Sequence, residues 1–251
     1  MSKTIAMEVP TGWGDDKLTE FFGMARDNSF ASFAKLRAHF SKLVAIDSAF
    51  LQIGENLHHP QAFWAPFFLM KSHSSFRAAA WMAMTGQSPE AFMVMRGCIE
   101  STLYGLFLSR NPASGDIYMN RHDDEAAKKA VRKEFTIAKM FECLRSVEPT
   151  LEPIASALYE RTIDAGAHPN IGAIAGATRV TRTPDKLEIK LAYLSADPGM
   201  NGGNNEVHRA VGTDRPARLS ARLQGALRYP RPFRKASGTP RGSVIGRADV
   251  G

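Results

Sequence analysis

From residue 15 to residue 56 apolar side chains return at steps of three and four, with Phe33, Leu36, Phe40, Leu43, Phe50 and Leu57 on one stripe. That spacing is the period of an α-helix with one buried face. Asp47 and Gly54 occupy the two places where the stripe lacks an apolar residue, and Lys35, His39 and Lys42 make the opposite, polar side. The pattern predicts one long amphipathic helix. It ends where His58-His59-Pro60 turns the chain, because the residue before a proline is pushed out of the helical region. A helix as long as residues 29–56 offers its stripe to a twin, which points to a homodimer.

Two more helices are predicted over 61–84 and 89–109, with Pro66 delaying or kinking the first. Between them lies Gly86-Gln87-Ser88-Pro89, where Ser88 suits an N-cap and Pro89 a first helical position. In the second helix Phe92, Met93, Arg96, Glu100, Leu103 and Phe107 share one side. Gly97, Ser101 and Gly105 form a small-residue seam, and Met95, Ile99 and Leu106 cover the remaining arc. A helix without a solvent face belongs at the centre of a bundle. After a loop at 111–115, Asp123, Asp124 and Glu125 open a further helix whose stripe is Ile137, Met140, Leu144 and Val147. A shorter one spans 151–165, with Ile154, Leu158, Arg161 and Ala165 on one face.

The period then changes to two. Leu187, Ile189, Leu191 and Tyr193 alternate with mostly polar residues, and 178–182 pair with them across Thr183-Pro184-Asp185-Lys186. A lone hairpin is marginal, so it is expected to lie on the bundle. The expected fold is mainly α, a bundle of five or six helices with an appended β-hairpin at about 178–194 and a disordered C-terminal tail.

Charge alters this picture only beyond residue 200. The chain of 251 residues carries a formal charge of +7, and residues 201–251 hold nine Arg, one Lys and three acids, so residues 1–200 are neutral. Of those last 51 residues, 27 are Gly, Ala, Arg or Pro without a sustained period, a composition that does not pack. The layout read from this is an N-terminal extension at 1–14, a helical domain at 15–200 and a basic, low-order tail at 201–251. Two readings of the tail stay open. It is a basic arm for nucleic acid or a membrane surface, or a non-native or frame-changed stretch, since GC-rich codons give those four residues in any frame.

Cys98 and Cys143, in predicted helices and without C-x-x-C spacing, read as reduced core thiols. Residues 1–14 lack the apolar run of a signal peptide. The charge-free runs between 60 and 108 fall short of the ~20 residues of a membrane span. A cytoplasmic protein without a membrane partner is expected.

Candidate chemistry lies where charges sit among apolar positions. Arg96 and Glu100 are four apart and within reach of each other. They are either a structural ion pair or a polar cleft in which Glu100 serves as base or ligand and Arg96 holds an anion. His73 and Arg77, also four apart, would line one pocket with them if the two helices pack side by side, or else mark an exposed helix face. His122-Asp123-Asp124-Glu125 has metal-binding residue types, but consecutive helical residues point apart, so it reads as N-terminal helix charge. No metal or cofactor is expected, and no phosphate-binding glycine loop, G-x-S-x-G, HExxH or EF-hand loop occurs.

Arg161 and His168 stand seven apart, around the end of the 151–165 helix, with Gly166 and Pro169 turning the chain. An arginine can hold a phosphate while an imidazole moves a proton, the minimum for metal-free cleavage of RNA by its own 2′-hydroxyl. An Arg, six residues and a His in an all-α setting resemble the R-x(4-6)-H motif of the HEPN superfamily, which includes metal-independent ribonucleases and inactive binding modules. The resemblance covers eight residues and implies Arg161 and His168 as catalytic positions, with RNA as substrate. Residues 60–194 also resemble conserved hypothetical bacterial proteins with no assigned activity. Two functions follow as expectations: a non-enzymatic helical interaction or scaffold protein, with a HEPN-like ribonuclease as the alternative. Nucleic-acid binding through the basic arm is a further one.

Overall fold

The computed structural model describes residues 8–57, 63–167, 178–182 and 187–194, and its fold is mainly α-helical. Eight α-helices occur among the described residues: α1 (Lys17–Lys35), α2 (Arg37–Glu55), α3 (Trp64–Thr85), α4 (Ser88–Arg110), α5 (Ser114–Met119), α6 (Glu125–Glu134), α7 (Ile137–Val147) and α8 (Glu152–Thr162). Sequence periodicity gives five or six. The surplus has three sources, each with a local cause.

The first is a break at Leu36, whose backbone (φ −115°, ψ 38°) leaves the helical region. A straight helix from Lys17 to Glu55 would be about 58 Å long, whereas α3, against which both halves pack, is about 33 Å. Breaking the rod lets both apolar faces reach α3. The corner is fastened by Phe33 and Phe40, which meet edge-on at 4.7 Å, and by the Arg37 guanidinium 3.6 Å from the Phe33 ring centroid. The continuous stripe expected to reach a twin is therefore absent in that form.

The second break separates α6 from α7. Phe135 is buried and stacks on Tyr104 at 5.3 Å, and Thr136 turns extended and caps α7 by accepting the Lys139 N–H at 3.4 Å. The third source is α5, six residues long and so too short to show a period. Trp64 lies close over it: a Cβ built on Gly115 would come within 2.8 Å of the indole nitrogen.

Two hydrophobic clusters fill the interior, and α4 contributes to both. Ala91, Phe92 and Cys98 join Leu43 and Ile46 of α2 and Phe76, Ala83 and Met84 of α3. Leu103, Leu106, Phe107 and Leu108 join Val131, Met140, Leu144 and Tyr159 of α6, α7 and α8. Helix α4 lies against α3, α7 and α8, yet it keeps a solvent edge, since Glu90 and Met93 are exposed and Gly97 faces open space. The helix is also long and apolar enough to cross a membrane. Here its mid-helix charges, Arg96 and Glu100, bind each other.

Helices α3 and α4 form a close hairpin. Gly86 ends α3 in the left-handed region (φ 87°), and the N–H groups of Gly86 and Gln87 return to the carbonyls of Ala83 and Met82. At Gly105 the helices approach so closely that an added Cβ would lie 2.8 Å from the Phe68 Cβ. The other seam glycine, Gly97, has open space there. The Cys98 thiol donates to the Ser72 carbonyl at 3.2 Å, and burial pushes its pKa up to about 12.

Helix α8 buries Glu152, Ala155, Tyr159 and Thr162. The stripe of Ile154, Leu158 and Arg161 lies one position off this face and is half-buried. A π-type turn, Ile163–Ala167, then carries the chain past α4, with Gly166 against the backbone of Pro89. Two strands, β1 (Thr178–Arg182) and β2 (Leu187–Leu191), pair antiparallel, with Val180 opposite Ile189. Residues 183–186, where a turn is expected, and the 201–251 tail lie outside the described residues.

Candidate functional site

Asp47 projects from the edge of the apolar face of α2 and is met by two side chains from α3. His73 Nε2 lies 2.6 Å from Asp47 Oδ1, Arg77 Nε donates to the same oxygen at 2.6 Å, and an outer guanidinium N–H reaches Oδ2 at 2.9 Å. Phe50, one turn along α2, stacks flat on the His73 ring at 4.9 Å. The Arg77 guanidinium beside Asp47 is the largest cause of a carboxyl held down at about 2, with His73 adding to it. The expected His73 and Arg77 pair is thus a triad whose carboxylate comes from the helix before.

Arg96 and Glu100 also bind each other, Arg96 Nε donating to Glu100 Oε1 at 2.8 Å. The third member is Tyr159 of α8, whose hydroxyl donates to the same oxygen at 3.0 Å. The Arg96 guanidinium lies over the Tyr159 ring, 5.2 Å from its centroid. Glu100 raises the Arg96 pKa by hydrogen bonding, and burial, followed by Glu100, raises that of the Tyr159 hydroxyl. One carboxylate oxygen already accepts two hydrogen bonds. The cluster fixes α4 against α8 and holds a cation at a set place.

Of the four residues expected to share a pocket, the structure therefore engages His73 and Arg77 through α2 and Arg96 and Glu100 through α8. Arg161 is half-buried in the last turn of α8, and its intended partner His168 lies outside the described residues. Asp124 caps α6 by accepting the Ala127 N–H at 2.6 Å, and Glu125 bridges Lys128 at 2.6 Å. Among the described residues no three His, Cys, Asp or Glu side chains gather as a metal site would need.

Sequence reasoning missed Asp47 and Tyr159 as partners. For Asp47 a signal existed, the polar gap in an apolar stripe. Tyr159 could have been found from Leu151, Ala155, Tyr159 and Thr162, which recur at steps of four and three.

The other feature is apolar. On α3, Phe63, at the residue before the helix, Phe67, Met70 and Trp81 recur on one face and are 64%, 55%, 70% and 53% exposed. Ser74 and Ala78 lie on the same face and are exposed. Across the Asp47–Arg77 bridge, exposed Val44 and Leu51 of α2 flank the same outer surface. Side chains of this size are normally kept from water, and a contiguous set of them marks a contact surface. No protein-family model, curated protein or solved structure matches the chain.

Proposed function

We propose that the chain is a cytoplasmic, non-enzymatic helical interaction or scaffold protein, and that its contact face is the outer surface of α3. The observation that carries this is the run Phe63, Phe67, Met70 and Trp81, four large apolar side chains each more than half exposed on one side of one helix. The two charged clusters support it, since they bind helix to helix: Asp47 to His73 and Arg77, and Glu100 to Arg96 and Tyr159. In this reading α4 is a core helix and no membrane is involved. The antiparallel pair at 178–191 is an appended hairpin lying on the same bundle.

The test is the size at which the full chain travels in an extract of its own cells. The parent is expected in a species larger than its own 27.5 kDa. A Phe67→Asp/Trp81→Asp variant, with unchanged helical circular dichroism, is expected to run smaller. A parent at its own mass, or a variant that runs with the parent, would sink the reading. The ribonuclease alternative, with Arg161 and His168 as catalytic residues, predicts RNA cleavage without added metal that His168→Ala abolishes while leaving the fold intact.

A further inference from the structure

We infer that the occupant of the α2–α3 outer face is a second copy of this chain, joined about a two-fold axis passing near Ser74. This deepens the contact-face reading and rests on it. Area is the first argument. Three aromatics more than half exposed leave roughly 300 Å² bare, and Met70, Val44 and Leu51 bring the patch to roughly 500–600 Å². That is the apolar centre of a face of about 800 Å², the share of one partner in a stable complex, once a polar rim is added.

Charge is the second argument. In a two-fold contact each surface meets its own copy, so an unbalanced charge near the axis would face its like. Asp47 and Arg77, which cross this patch, neutralise each other within one copy, and exposed Lys71, beside Met70, flanks the stripe on the edge away from α2.

Shape is the third. Asp47 lies about as far from the α2–α3 connection as His73 and Arg77 do, so the two helices run antiparallel, placing Leu51 toward Met70 and Val44 toward Trp81. Along α3 the exposed face reads large, small, large: Phe67 and Met70, then Ser74 and Ala78, then Trp81. Two antiparallel copies crossing at Ser74 set Met70 over the partner's Ala78 and Phe67 beside the partner's Trp81. Small residues at the crossing let the backbones approach, and the large ones fill the flanks.

Sedimentation equilibrium of the full chain over a range of concentrations tests this. The expected result is twice the mass of 27.5 kDa, dissociating on dilution, with Met70→Asp weakening association by about 30-fold or more at unchanged circular dichroism. The mass of one chain at every concentration up to roughly 0.1 mM overturns the proposal. So does a dimer that Met70→Asp leaves intact, because self-association would then use another surface. Should Met70→Asp fail to fold, Ser74→Cys decides. Oxidation with copper phenanthroline should link it into a disulfide dimer in far higher yield than the parent, whose own cysteines are buried or half-buried, and no extra cross-link overturns the proposal. A monomeric parent whose larger species in extract is lost in Phe67→Asp/Trp81→Asp refutes the second copy while leaving the contact face standing. A monomer without that loss refutes both.

Discussion

A carboxylate inside an apolar helix stripe has to be answered by a neighbour, and at Asp47 the answer comes from an imidazole and a guanidinium one helix further on. The gap at position 47 is visible in the sequence. Its partners, 26 and 30 residues away, are not, because periodicity fixes the phase of each helix and says nothing of the register between two. Tyr159 was hidden for a related reason: two interleaved stripes on α8 are both apolar enough to be the buried one, and packing on α4 selects the second.

Asp47 carries a pH prediction. Its carboxyl ionises near 2 in the fold against an ordinary value of 3.8, so its stabilising contribution is complete above about pH 4 and declines as pH falls toward 2. Asp47→Asn is expected to lower stability at neutral pH by about 1 kcal/mol, the side chain being partly solvated. Urea titrations at pH 7 and pH 2.5 should show the gap between parent and variant narrowing at the lower pH; a gap that widens there would contradict the pairing.

At the scale of elements, the period of three to four residues made the helices legible and the breaks between them illegible. Leu36 is an apolar residue on its stripe, neither it nor Phe135 is a proline or glycine, and what bends the chain there is the short length of α3 and the stacking of Phe135 on Tyr104. The small-residue seam was legible but only partly used: Gly105 sits where the helices nearly touch, and Gly97 does not. Gly105→Ala should therefore destabilise by about 1–3 kcal/mol, because its new Cβ meets the Cβ of Phe68 and neither can swing away. Gly97→Ala should be neutral or slightly stabilising through helix propensity. Thermal melts of the two variants side by side would check the contrast.

For the whole molecule, the net charge lies in a part of the chain beyond the described helices. Residues 1–200 carry no formal net charge, and residues 201–251 carry all of the +7. Retention on heparin at low salt is expected for the full chain, falling steeply as salt rises, and is expected to vanish in a chain ending at residue 200. Retention that survives the deletion would point to a basic patch on the bundle itself.

The place of α4 in both hydrophobic clusters also decides how the molecule comes apart. Helices α1 and α2 lean chiefly on α3, whereas α4 is held along its length by α3 and in its second half also by α7 and α8. Either half can open while the other keeps its grip on α4, so the slowest amide protons in deuterium exchange should be those at the middle of α4 and the fastest helical ones those of α1. If so, the protein yields in two separable steps, and the helix pair that adds Val44 and Leu51 to the exposed apolar face belongs to the part that lets go first.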